Sequence, residues 1–108
     1  MPALKFKAIN TEKLRRISKE LIDELEDLLQ CPRSYFSLEI PQVLFIMDGE
    51  YVAGSPVVEV AWFDRGQEVQ DKAAQIITKY VNTMGYKDVD VIFTKLKENR
   101  YYENGEHF

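Results

Sequence analysis

Two hydrophobic periods run through the chain, and their succession predicts its elements. Leu4, Phe6 and Ala8 alternate with Lys5 and Lys7, the period of two expected of a strand with one polar face. Asn10 and Thr11 then offer N-cap side chains. Beyond them Leu14, Ile17, Leu21, Ile22, Leu25, Leu28 and Leu29 recur at three- and four-residue steps, an amphipathic helix. Cys31-Pro32 ends it, because proline lacks the N–H and pushes the preceding residue towards extended geometry. Phe36, Leu38 and Ile40 predict a second strand. After Pro41 the run Val43-Leu44-Phe45-Ile46 leads into Asp48-Gly49, a strong hairpin signal, with Tyr51-Val52 as the returning arm. A break at Gly54-Ser55-Pro56 precedes a strand from Val57 to Phe63. The polar turn from Asp64 to Gln67 introduces a second helical stripe of Val69, Ala73, Ile76, Ile77, Tyr80, Val81 and Met84, stopped by Gly85. Val89, Val91 and Phe93 predict the last long strand. A polar stretch from Lys95 to Arg100 and a tail from Tyr101 to Phe108, with an Asn104-Gly105 turn, complete the order β-α-β-β-β-α-β-β.

The two halves repeat each other. Strand, helix, strand and glycine-containing turn occur in residues 2–54 and again in 56–105, and each half opens with a proline, Pro2 and Pro56. Leu14, Leu21, Ile22 and Leu29 superpose on Val69, Ile76, Ile77 and Met84. The alternative is an ordinary α+β domain with similar periodicities. Because a βαβ crossover makes its two strands parallel, two such units side by side give a two-layer α+β fold: a four-stranded mixed sheet, both helices on one face, and short hairpin strands besides. The second sheet face is then left open, and the apolar residues available there argue for packing against other subunits.

Length and composition narrow the function. At 108 residues the chain is expected to form one domain, residues 1–108, and 45% hydrophobic with 30% charged residues describes an ordered globule. The net charge of −4, with Lys and Arg dispersed, gives no nucleic-acid footprint. No apolar run approaches the roughly 18 residues of a membrane span, and the start lacks the apolar stretch of a signal peptide. The single Cys31 cannot form an intramolecular disulfide, so a reducing, cytoplasmic compartment fits best. No cofactor motif and no metal-ligand cluster stands out. The acidic group Glu20, Asp23, Glu24, Glu26 and Asp27 spreads over the polar face of the first helix, where solvation explains it.

The segment PVVEVAWFDRGQEVQDKAAQIITKYV resembles the tautomerase superfamily, which includes 4-oxalocrotonate tautomerase and macrophage migration inhibitory factor, in its proline, strand, Arg-containing turn and Gln/Lys-bearing helix. VDVIFTKLKENRYYENG is similar to that superfamily's second strand and hairpin, and the first half carries the same plan behind Met-Pro, as in the longer, fused members that assemble as trimers. The likeness covers nearly the whole chain and points to a poorly characterised domain-of-unknown-function branch. It implies a tautomerase-like fold, a homotrimer, and keto-enol tautomerisation or a related proton transfer on a small oxo acid or enol.

On that resemblance, Pro2 is the catalytic residue. Removal of Met1, which a penultimate proline normally permits, makes Pro2 a secondary amine at the edge of a strand. Model α-amino groups titrate at about 7.7 to 8.0, and desolvation or a nearby cation favours the neutral base. The resemblance also places Arg65 and Arg33 as cations for a carbonyl or carboxylate, and Tyr101 as a pocket wall. The same arginines read equally as solvated surface charges, and Tyr101 as a packing residue. Asp90 stands where several members have a strand arginine, which speaks against their dicarboxylate substrates. His107, the single histidine, reads as an exposed tail residue, or with Phe108 as the lining of a cleft shared with a neighbouring subunit. Trp62 is a core or interface anchor. Two rival readings remain: a catalytically silent trimer acting as a binding or scaffold protein, and an unrelated ferredoxin-like module.

Overall fold

A computed structural model describes residues 2–108. Strand β1 (Ala3–Lys7) is followed by helix α1 (Thr11–Leu29), a 3-10 turn (Arg33–Tyr35) and strand β2 (Ser37–Glu39). A hairpin of β3 (Phe45–Met47) and β4 (Glu50–Val52) leads to β5 (Val57–Trp62), helix α2 (Gln67–Thr83) and β6 (Asp90–Lys95). A second 3-10 turn (Glu98–Arg100) precedes β7 (Tyr102–Glu103) and β8 (Glu106–His107). The expected order holds, with two refinements. The returning arm Tyr51-Val52 forms a ladder of its own with β3, and the tail closes into a hairpin instead of a single strand.

Local chemistry sets the boundaries. The Asn10 side chain accepts the Lys13 N–H at 3.0 Å, capping α1 as its residue type predicts. The helix ends one step before Cys31-Pro32, where Gln30 turns left-handed (φ 53°) and its N–H reaches the Glu26 carbonyl. At the start of α2 no side chain caps the helix, and Asp64 instead accepts the Gly66 N–H at 3.0 Å. Both hairpin turns take positive φ at their two central residues, Asp48-Gly49 and Asn104-Gly105, the geometry whose twist matches paired strands.

The sheet runs β2-β1-β5-β6. β1 pairs in parallel with β2, β5 in parallel with β6, and the two units meet along an antiparallel β1–β5 ladder centred on Lys5 and Glu59. Alternation sends Leu4, Phe6, Val58, Val60 and Trp62 into the core beneath the helices, against Leu21, Leu25, Ile77 and Val81. The opposite face is more polar than expected. Lys7 pairs with Glu59 at 2.9 Å and Lys5 with Glu39 at 3.9 Å, and the small residues Ala3 and Ala61 face each other beside them. Large apolar surface lies instead on the β3–β4 hairpin, where Leu44 is 79% and Tyr51 77% exposed.

Candidate functional site

Pro2 immediately precedes β1, and its carbonyl accepts the Ser37 N–H at 3.1 Å, which ties the start of the chain to β2. The pyrrolidine belongs to the core side of the sheet and is fully buried. It shares a small apolar void with Leu4, Leu25, Leu29, Phe36, Val60, Trp62, Ala73, Ile77 and Phe93. The void measures about 10 Å³. A single water needs at least ~10–15 Å³ by that measure, so nothing larger than a water fits beneath the ring. Met1, whose removal the amine chemistry requires, lies outside the described residues.

Arg65 lies just beyond the end of β5 on the same side of the molecule. Its Nη1 donates to the Phe63 carbonyl at 3.0 Å, and its guanidinium carbon stands 5.7 Å from the centre of the Trp62 ring, within cation–π range. Among the described residues no carboxylate pairs with it. The neighbouring Lys95 does have a partner, Asp64 at 3.7 Å. Arg65 is thus a cation without a counter-charge, separated from Pro2 by one indole.

Arg33 is arranged differently. Its Nη1 lies 2.7 Å from Asp23 and 3.3 Å from Glu26, and Nη2 donates to the Lys19 carbonyl at 3.3 Å. The guanidinium is engaged by α1, and Asp23 is held below its usual carboxylate range by hydrogen bonds from Lys19 and Arg33. The structure therefore does not bring Arg33 together with Arg65. Asp90 starts β6 at the far end of the sheet, its N–H bonded to the Pro56 carbonyl at 3.1 Å. In the matching place beside Pro2 stands Ser37.

Tyr101 contributes to a cluster that the sequence pattern does not reveal. Its ring packs edge-on against Phe63 at 5.4 Å and against Phe108 at 4.9 Å, while Phe63 and Phe108 stack at 5.5 Å. The tail folds back on its own chain, and the His107 ring lies against Tyr102 at 6.0 Å. Beside this cluster opens a cavity of about 330 Å³, lined by Ser34, Tyr35, Tyr101, Tyr102, Glu103 and Phe108. Tyr35 and Glu103 carry no periodic signal, and only the folded chain brings them together. Among the described residues no group of three or more His, Cys, Asp or Glu could hold a metal ion, and no helix is long and apolar enough to cross a membrane.

The family model of a domain of unknown function, DUF1904, matches residues 1–107. The chain belongs to the DUF1904 family. A DUF1904 domain from Sebaldella termitidis ATCC 33386 is 37% identical over 100% of both chains, with a TM-score of 0.92. The DUF1904 fold is that of the tautomerase superfamily. A macrophage migration inhibitory factor-like protein from Entamoeba histolytica matches with TM-score 0.70 at 16% identity, covering 99% of this chain and 98% of that one. A fused 4-OT, described as a wild-type asymmetric trimer, matches with TM-score 0.76 at 11% identity over 97% and 94%. No curated protein is detectably similar in sequence.

Proposed function

We propose that this DUF1904 protein is a tautomerase-like catalyst that moves a proton on a small oxo acid or enol, with the Pro2 amine as general base and then general acid. One observation carries the reading: Pro2 sits in a wholly apolar shell, and one wall of that shell, Trp62, bears the unpaired Arg65 guanidinium. Both features disfavour a protonated amine and leave a base at neutral pH. The amine would take a proton from the carbon next to a carbonyl and return it to another atom of the conjugated system. Arg65 would stabilise the charge that develops on oxygen, and Tyr101 would wall the substrate.

The fused 4-OT relative is a trimer, and we extend that assembly to this chain as a homotrimer, in the cytoplasm, where one unpaired Cys31 is compatible with reducing conditions. Sedimentation should return three copies; a monomer would remove the assembly.

A second reading, a silent trimer that binds or scaffolds, is favoured by the tightness around Pro2, which leaves no space for substrate within the protomer. The test is a nitrogen-15 titration of the Pro2 amine on protein whose mass establishes the loss of Met1. The expected result is a transition below the ordinary α-amino range, together with loss of enol turnover in Pro2→Ala and in a variant with one residue inserted before Pro2. A retained Met1 or an ordinary amine transition overturns the proposal in favour of the scaffold.

A further inference from the structure

We propose that Asn104 is a self-modifying site, at which the chain converts its own asparagine to aspartate and isoaspartate and so opens the C-terminal hairpin that holds Phe108 in place. The reaction needs only water. The Gly105 backbone nitrogen attacks the side-chain carbonyl carbon of Asn104; a C–N bond forms, the bond to the side-chain nitrogen breaks, and ammonia leaves with the proton that the Gly105 nitrogen gives up. Water then opens the five-membered imide at either carbonyl. One opening gives aspartate, and the other gives isoaspartate, whose main chain runs through the side-chain carbon. Of the four asparagines only Asn104 precedes a glycine, which has no Cβ to shield its nitrogen. Both residues are exposed at the hairpin tip, and nothing lies within 4 Å of the position a Gly105 Cβ would take. Asn10 and Asn82 are followed by threonine and have engaged side chains: Asn10 accepts the Lys13 N–H at 3.0 Å, and Asn82 donates to the Tyr86 carbonyl at 2.8 Å. Asn99 is followed by Arg100.

The hairpin has little with which to resist the change. β7 and β8 pair over two residues each, and Glu103 stands directly opposite Glu106, where like charges are destabilising. A carboxylate at position 104 adds a third negative charge to that pair. Isoaspartate does more, because it lengthens the main chain inside a two-residue turn whose register depends on φ of 54° and 85°. The ladder is closed by the Phe108 N–H, which donates to the Tyr101 carbonyl at 3.1 Å. Once the register is lost, so is the stacking of Phe108 on Phe63. Any consequence for turnover, through the Tyr101 wall, rests on the reading of Pro2 as catalyst; the modification and the opening of the hairpin do not.

The experiment ages the full chain at neutral and at mildly alkaline pH. Mass spectrometry of the asparagine-containing peptides, with isoaspartate assayed separately, follows the chemistry, and NMR follows the ring contacts. Asn104 should pass to aspartate and isoaspartate, faster at the higher pH, while Asn10, Asn82 and Asn99 keep their amides. The modified fraction should lose the Phe63–Phe108 and Tyr102–His107 contacts. Asn104→Gly, which suits a positive-φ turn and has no side-chain amide, should age with both contacts intact. The proposal is overturned if Asn104 loses its amide no faster than the other three asparagines, if modified chains keep both contacts, or if aged Asn104→Gly loses them as the wild type does.

Discussion

Trp62 joins the core to the candidate site, and its truncation is the most demanding test of how both are built. The residue is 1% exposed, packs its ring at a 43° tilt against Phe93 at 4.8 Å and lines the void around Pro2. A buried aromatic side chain removes about 150–250 Å² from water, which at about 25 cal/mol per Å² is roughly 4–6 kcal/mol. Measured Phe and Trp to Ala losses of about 3–5 kcal/mol agree. Domains have stabilities of roughly 5–15 kcal/mol, so a loss of about 3–5 kcal/mol in Trp62→Ala should remove from about a fifth to all of it. The assay is urea unfolding followed by far-ultraviolet circular dichroism, since Trp62 is the sole tryptophan and its fluorescence disappears with it. Trp62→Phe keeps a ring for Phe93 and should lose about half as much. Arg65→Ala, which removes the cation over the indole and its hydrogen bond to the Phe63 carbonyl, should lose about 1–2.5 kcal/mol. A Trp62→Ala loss below about 1 kcal/mol with an unchanged denaturant slope would refute the packing argument.

Two further outcomes follow from particular contacts. The Tyr80 phenol is pushed up to about 12, first by its hydrogen bond to Glu24, then by burial and the charges of Glu24, Glu20 and Asp23. Glu24 is held below 4.5, by hydrogen bonds from Lys79 and Tyr80. The Tyr80 contribution to stability is therefore intact below 10.0 and lost as pH rises through about 12, while that of Glu24 is intact above 4.5 and lost as pH falls below it. Unfolding curves of wild type and Glu24→Gln should converge at both extremes, and a constant separation across pH contradicts the coupling. In Gly54→Ala the new Cβ would stand 2.5 Å from the Phe45 ring, which should loosen the β3–β4 hairpin by about 1–3 kcal/mol in hydrogen exchange. Phe45→Ala should relieve the clash; equal loss in both backgrounds argues against it.

The order of strands and helices was legible because it is written in local periods. Pro2 and Pro56 open matching strands, and the Ser37 and Asp90 amides make matching 3.1 Å bonds to their carbonyls. The site was less legible for an equally specific reason. Arg33 and Arg65 look alike in sequence, each a lone arginine in a turn, yet α1 presents Asp23 and Glu26 to the first and leaves the second over an indole. A lone charge in a loop carries no information about the carboxylates that will stand beside it.

The sequence by itself determined the element types and their ends. The switch between periods of two and 3.6 is a property of backbone geometry, and Asn10, Asp48-Gly49, Gly85 and Asn104-Gly105 act through bonds and dihedrals within a few residues. Tertiary structure decided what those elements bring together. The burial of Pro2 beside Trp62, the return of Phe108 onto Phe63, and the joining of Tyr35 to Glu103 around one cavity link residues far apart along the chain. Such contacts depend on crossover direction and strand register, which arise only when the two β-α-β units close against each other and bury their shared core.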